Sequence, residues 1–180
     1  MKTRPATLKK RSVAFLVDYL IIALYGLCLL GVTLAFYQIF FGGIPDLINV
    51  IGPLGTQLIG FMSLTLPVGL YFYFTESSKH HASIGKRIMR ISVKSTDGVI
   101  SKSQIALRTI IKFLPWEFAH AFVHQVVYYS QNNSTPPMWV MTGLIIANIL
   151  PWVYIGFIVF RKDHRGPHDL LTQTVVTASK

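Results

Sequence analysis

The chain has 180 residues, 52% of them hydrophobic and only 13% charged, against about 25% charged in an ordinary soluble domain. Its net charge of +10, from 17 Lys and Arg against 7 Asp and Glu, would suggest nucleic acid in a soluble protein. Here the cations lie between long apolar blocks, which argues against nucleic acid and for a membrane. A lone cysteine, Cys28 within an apolar block, excludes an internal disulfide and a cysteine-built zinc site.

The first apolar block covers residues 13–40 and follows a basic stretch, Lys2 to Arg11. It is too long for the apolar region of a signal peptide, about 7–15 residues, and reads as a retained anchor. A bilayer core of about 30 Å needs about 20 apolar residues in a helix. Residues 13–40, 54–74 and 139–160 each meet that requirement, with Pro67 and Pro151 inside the latter two. Residues 105–129 form a fourth candidate, interrupted by Arg108, Lys112, Pro115, Glu117, His120 and His124. Alone, that segment fits a span, a re-entrant segment or an interfacial helix.

The cations choose among these. With four spans, the N-terminus, the 75–104 loop and the tail share one side. Together with Arg108 and Lys112 these regions hold all 17 Lys and Arg, while residues 41–53 and 130–138 hold none. Such asymmetry over short loops is the positive-inside pattern. With three spans, Arg161, Lys162 and Arg165 would face outward. The expected fold is therefore all-α integral membrane, a single domain over residues 1–180 with four transmembrane helices and both ends cytoplasmic.

In the 75–104 loop, "IMRISVKSTDGVIS" alternates Met89, Ile91 and Val93 with Arg90, Ser92 and Lys94, then reaches Asp97-Gly98. That pattern predicts a short cytoplasmic β-hairpin between the second and third spans. The preceding "SIGKRIMR" supplies Lys86, Arg87 and Arg90, read either as a contact for anionic lipid headgroups or as a topology determinant only. It lacks the upstream glycine and following Ser/Thr of a phosphate-binding loop.

An ionisable group at the centre of a span costs about 2.5–3.5 kcal/mol on insertion scales, so Asp18 and Glu117 each need a reason. Arg11 and Asp18 are seven residues apart, which puts them about 20° apart around a helix and about 10 Å apart along it. They share a face without touching. Asp18 therefore needs a partner from another segment or a water-filled cavity, and Arg108 and Lys112 are the obvious cations.

Glu117, His120 and His124 fall within about a 60° arc on a helix. Asp18, Glu117 and His120 are expected to form one polar layer. Three readings stand for it. Glu-x-x-His is one half of a bundle di-metal site, but the other half is missing, so no metal is expected. Carboxylates with imidazoles also suit a proton or cation relay, since histidine titrates near neutral pH. The third reading is an interhelical hydrogen-bond network that only fixes packing. Ser63, Ser77 and Ser83 have no paired His and acid at a telling spacing, so neither an enzyme nor a cofactor is expected.

In the tail, "RKDHRGPHDLLTQTVV" places Asp169 either to cap a short helix or to pair with Arg11 across the two chain ends. Taken together, "RSVAFLVDYL", "SIGKRIMRISVKSTDG" and "GPHDLLTQTVV" resemble the RDD family of bacterial membrane proteins. That family is named for one arginine and two aspartates, which correspond by position to Arg11, Asp18 and Asp169. Ile84 stands where a leucine is common. The resemblance implies a multi-pass protein of the cytoplasmic membrane and suggests transport of an unidentified ligand, some members being described as cation/proton antiporters. The resulting expectation is a small transporter of cations, protons or another small ligand, acting as a homodimer. The alternative is a non-catalytic accessory protein packed against a larger membrane partner.

Overall fold

The computed structural model describes residues 5–178, so Lys2, Arg4 and Lys180, counted among the cations above, lie outside the described residues. Among the described residues, three helices are long and apolar enough to cross a membrane: Leu8–Phe41, Leu47–Ser77 and Met138–Phe160. The first is α1, which begins inside the basic stretch rather than after it. The second is composite, with α2 at Leu47–Gly60, a π-helical segment at Phe61–Thr65 and α3 at Leu66–Ser77. Gly52, at φ 73°, breaks α2 before Pro53, a conformation that glycine adopts at little steric cost.

After the short helix α4 (Ile84–Ile88) and strand β1 (Ile91–Ser95), helix α5 runs unbroken from Lys102 to Gln131 through Pro115. It covers the fourth predicted segment but is not among the three apolar enough to span by composition. Helix α6 (Met138–Phe160), helix α7 (Pro167–Leu171) and strand β2 (Thr174–Ala178) complete the described residues.

Two prolines inside long helices leave carbonyls without their helical donor, and tyrosines replace it. Pro67 cannot donate to the Ser63 carbonyl four residues back, and the Tyr25 hydroxyl does so at 2.5 Å. Pro115 likewise frees the Ile111 carbonyl, which accepts from the Tyr154 hydroxyl at 2.9 Å. The π-helical turn sits immediately ahead of Pro67, where a wider turn relieves the ring's clash with the preceding carbonyl.

The predicted hairpin does not form. Strand β1 pairs instead with the tail, antiparallel to β2, with Val93 opposite Val176 and Ile91 opposite Ala178. The reason lies at Ser101, which exchanges hydrogen bonds with Gln104: its N–H reaches Gln104 Oε1 at 3.0 Å, and Gln104 N–H reaches Ser101 Oγ at 3.1 Å. This capping box starts α5 directly after Ile100, leaving Val99 and Ile100 too short to form a return strand. The tail's "TVVTA" supplies the missing partner, and Ala6 N–H bonds the Val176 carbonyl at 2.9 Å. Ala6, Ala14, Ile91, Val93 and Val176 form the apolar core beneath.

The contacts sort into two compact units. The first comprises residues up to Ile21, Val68–Leu114 and Pro151 onward, and contains the sheet, α4 and α7. Its buried side chains include Asp18, Glu76, Arg108 and Asp169, while Phe15, Leu16 and Leu20 of α1 are exposed. Polar inside and apolar outside is the arrangement a lipid solvent selects. The second unit comprises Ile22–Pro67 and Pro115–Leu150. There Val140, Gly143 and Ala147 line the buried stripe of α6, and a Cβ on Gly143 would overlap the Phe122 ring.

Candidate functional site

Asp18 is buried at 3% exposure, and its carboxylate accepts three hydrogen bonds from neutral donors. Tyr71 Oη of α3 donates to Oδ1 at 2.7 Å, the Gly85 N–H to Oδ1 at 2.9 Å and Ser83 Oγ to Oδ2 at 2.5 Å. Ser83 is also the N-cap of α4, accepting from the Lys86 N–H at 3.4 Å. Asp18 thus satisfies the start of α4 from outside that helix, where the free N–H groups favour a negative charge. The approach is possible because residue 85 is glycine: a Cβ there would penetrate the Ala14 carbonyl oxygen and come within 3.0 Å of Asp18 Cγ.

A second set of ions alternates in sign across the same unit. Lys86 pairs with Glu76 Oε1, and Arg108 Nη1 donates to Glu76 Oε2 at 2.6 Å. The same guanidinium reaches Asp169 Oδ1 through Nε and Nη2, each at 3.0 Å. Asp169 Oδ2 then accepts from Arg11 Nη2 at 3.0 Å, and Arg11 Nη1 donates to the His164 carbonyl. The order is Lys86, Glu76, Arg108, Asp169, Arg11, so each carboxylate lies between two cations.

Asp169 has a further task. As the third residue of α7 it accepts from the Gly166 N–H at 3.2 Å, closing the turn that Pro167 opens. Burial alone would raise its pKa, but Arg108 foremost and Arg11 outweigh that and hold the carboxyl well below its ordinary range. His168 beside it is pushed down to about 3 by burial, with Asp169 opposing. Its Nδ1 has no hydrogen-bond partner among the described residues.

The third group belongs to the second unit. Thr65, at the end of the π-helical segment, donates from Oγ1 to Glu117 Oε1 at 2.5 Å and accepts from Trp116 Nε1 at 3.1 Å. His120 Nδ1 lies 3.8 Å from the same carboxylate oxygen, and the His120 ring meets Trp116 edge-on, centroids 4.3 Å apart. His124 follows one turn on, its ring centroid 6.3 Å from that of His120. The Glu117 side chain is 21% exposed and that of His120 28%. No cation pairs with Glu117 among the described residues other than His120 when protonated.

The residues expected to share one layer therefore divide. Asp18 takes Tyr71, Ser83 and Gly85 rather than Arg108 or Lys112. Arg108 serves Glu76 and Asp169. Lys112 lays its ammonium over the Phe72 ring, 3.3 Å from the centroid. Glu117, His120 and His124 lie in the other unit, and among the described residues no three His, Cys, Asp or Glu gather for a metal ion. Of the basic run, Lys86 turns inward to Glu76, which takes it out of the expected headgroup contact; Arg87 and Arg90 remain exposed.

Glu76 escaped the sequence reading, as did Tyr71, Thr65 and Trp116. A signal existed for Glu76. A buried arginine at position 108 requires a carboxylate near the same end of a neighbouring helix, and Glu76 closes the second apolar run.

A family model described as the RDD family matches residues 5–173, nearly the whole chain. Comparison with curated proteins and with solved structures gave no match.

Proposed function

The chain is a membrane protein that belongs to the RDD family, and from that premise we propose that it is a small transporter coupling proton movement to a cation or another small ligand. The observation that carries this reading is the state of Glu117. Asp18, Glu76 and Asp169 have both carboxylate oxygens occupied by donors. Glu117 has one oxygen held by Thr65, and Oε2 has no hydrogen-bond partner among the described residues. A partly exposed carboxylate with an imidazole at 3.8 Å can accept a proton or cation and release it. In this reading Glu117 binds, His120 and His124 tune or relay, and the Arg11–Asp169 pair fastens the tail.

The proposed topology has four spans with both ends in the cytoplasm. A helix of 30 residues such as α5 is about 45 Å long, ample for a bilayer core of about 30 Å. The one-sided distribution of the 17 cations supports the orientation. Four spans offer little room for alternating access, which favours a homodimer, and the cytoplasmic membrane is the expected site. No chemical turnover is assigned.

The test is cation-dependent proton flux in proteoliposomes. Wild type is expected to carry flux, Glu117→Gln to fall to background, and Asp18→Asn to lose stability before turnover. If correctly inserted wild-type protein moves no ion above empty liposomes, transport is abandoned in favour of an accessory protein packed against a larger membrane partner.

A further inference from the structure

Helix α4 has two unlike faces. Its inner face is committed: Ser83 and Gly85 hold Asp18, and Lys86 pairs with Glu76. On the outer face Ile84 is 41% exposed and Ile88 61% exposed, four residues apart and so on one side of the helix. Arg90 is exposed beside them, as is Arg87, whose Nε donates to the Ala82 carbonyl at 3.2 Å and whose Nη2 donates to Ser78 Oγ at 3.0 Å. Neither isoleucine takes part in the ionic chain or in the core beneath the sheet. An exposed apolar pair flanked by guanidiniums, in a unit whose interior is ionic, requires an occupant that is itself both apolar and anionic.

Its attachment fixes where that occupant lies. The Ile84 N–H donates to Tyr71 Oη at 3.1 Å, and Gly85 abuts the Ala14 carbonyl of α1. Tyr71 stands six residues before Ser77, the last residue of a helix long and apolar enough to span, so α4 folds back about 9 Å beside the end of that helix. That is the depth of lipid headgroups rather than of bulk water.

We propose that α4 lies in the headgroup layer of the surrounding bilayer, with Ile84 and Ile88 beneath the phosphates and Arg87 and Arg90 on the phosphates of anionic lipids. Short amphipathic segments with this division bind membrane surfaces by apolar burial and attraction to acidic headgroups together. Positive φ at Arg90, 53°, turns the chain sharply out of α4 into β1, so this surface ends there. The interface stands whether or not the protein transports.

The experiment uses the full chain with Cys28→Ser and Ile88→Cys, labelled with an environment-sensitive fluorophore in nanodiscs. One set contains phosphatidylcholine alone and the other adds phosphatidylglycerol. The expected result is blue-shifted emission and several-fold protection from aqueous iodide, both greater in the anionic discs. Arg90→Gln, and Arg87→Gln where it folds, should abolish the difference between the two compositions. Water-like emission with full iodide access in both compositions overturns the proposal. So does burial that ignores both anionic lipid and the arginines, since that is the signature of a covering protein segment.

Discussion

Arg108 Nη1 and Glu76 Oε2 lie 2.6 Å apart with side chains 2% and 0% exposed, so this ion pair has no recourse to water. Removing one partner of such a pair leaves the other charge buried and uncompensated, a loss of about 3–5 kcal/mol. Arg108→Met strands Glu76 and Asp169 together, and each keeps only a peripheral cation, Lys86 or Arg11. The variant should show a markedly lower thermal midpoint in detergent than wild type. Arg108→Lys should recover little, because one ammonium cannot reproduce the contacts of Nε, Nη1 and Nη2. A midpoint unchanged by Arg108→Met would show that the chain of ions contributes nothing to stability.

Gly85 and Gly69 offer a matched comparison. A Cβ on Gly85 would overlap the Ala14 carbonyl, whereas one on Gly69 meets nothing within 4 Å. Gly85→Ala should therefore lift α4 from Asp18 and destabilise by about 1–3 kcal/mol. Gly69→Ala should be neutral or stabilising by up to about 1 kcal/mol, from helix propensity alone. Hydrogen exchange of the α4 amides separates the two effects: faster in Gly85→Ala, unchanged in Gly69→Ala. Equal behaviour of the two variants would remove the close approach as the reason for glycine at position 85.

Much of this was legible in the sequence because the physics was local. Three apolar runs dictated three long helices, and alternation from Met89 to Val93 correctly predicted a strand. What failed was pairing. Asp97-Gly98 suggested a hairpin, yet Ser101 and Gln104 begin a helix too soon, and the true partner lies some eighty residues on in the tail. The polar residues tell the same story. Position on a helix placed Arg11 and Asp18 on one face, but partners from other segments depend on packing that one helix does not encode. Cations stand at a similar distance from the shared side, which points Asp18 towards them. It instead takes the N–H of a glycine whose role becomes visible only when α4 meets α1.

The tail should be sensitive to acid. Free His168 has a pKa of 6.5, whereas docked it is pushed down to about 3, chiefly by burial. Above 6.5 the docked and undocked forms are both neutral, and docking is undiminished. Below 6.5 only the undocked form takes a proton, so docking weakens as pH falls, by about 1.4 kcal/mol per pH unit. Asp169, with its pKa lowered, keeps its full contribution above the ordinary carboxylate range and loses it only below, in the same direction. At pH 5 the histidine effect is about 2 kcal/mol, a roughly thirtyfold rise in opening. Hydrogen exchange of strand β2, corrected for intrinsic rate, should show this rise between pH 7 and 5. His168→Leu, which forfeits no hydrogen bond at Nδ1, should flatten it. A flat wild-type profile would refute the linkage.

The tyrosine that serves the Ile111 carbonyl admits a sharper test than a single deletion. Tyr154 Oη donates to that carbonyl at 2.9 Å because Pro115, four residues on, has no N–H to give. Tyr154→Phe leaves the carbonyl without a donor where water is scarce, and should destabilise by about 0.6–2 kcal/mol. Pro115→Ala restores a backbone donor to the same oxygen. In that background the hydroxyl is redundant, and Tyr154→Phe should have little effect. The double-mutant cycle therefore predicts a coupling nearly equal to the single Tyr154→Phe loss, read from unfolding midpoints in detergent. Additive losses would mean that the hydroxyl does not stand in for the missing N–H. The contact would then be a consequence of packing.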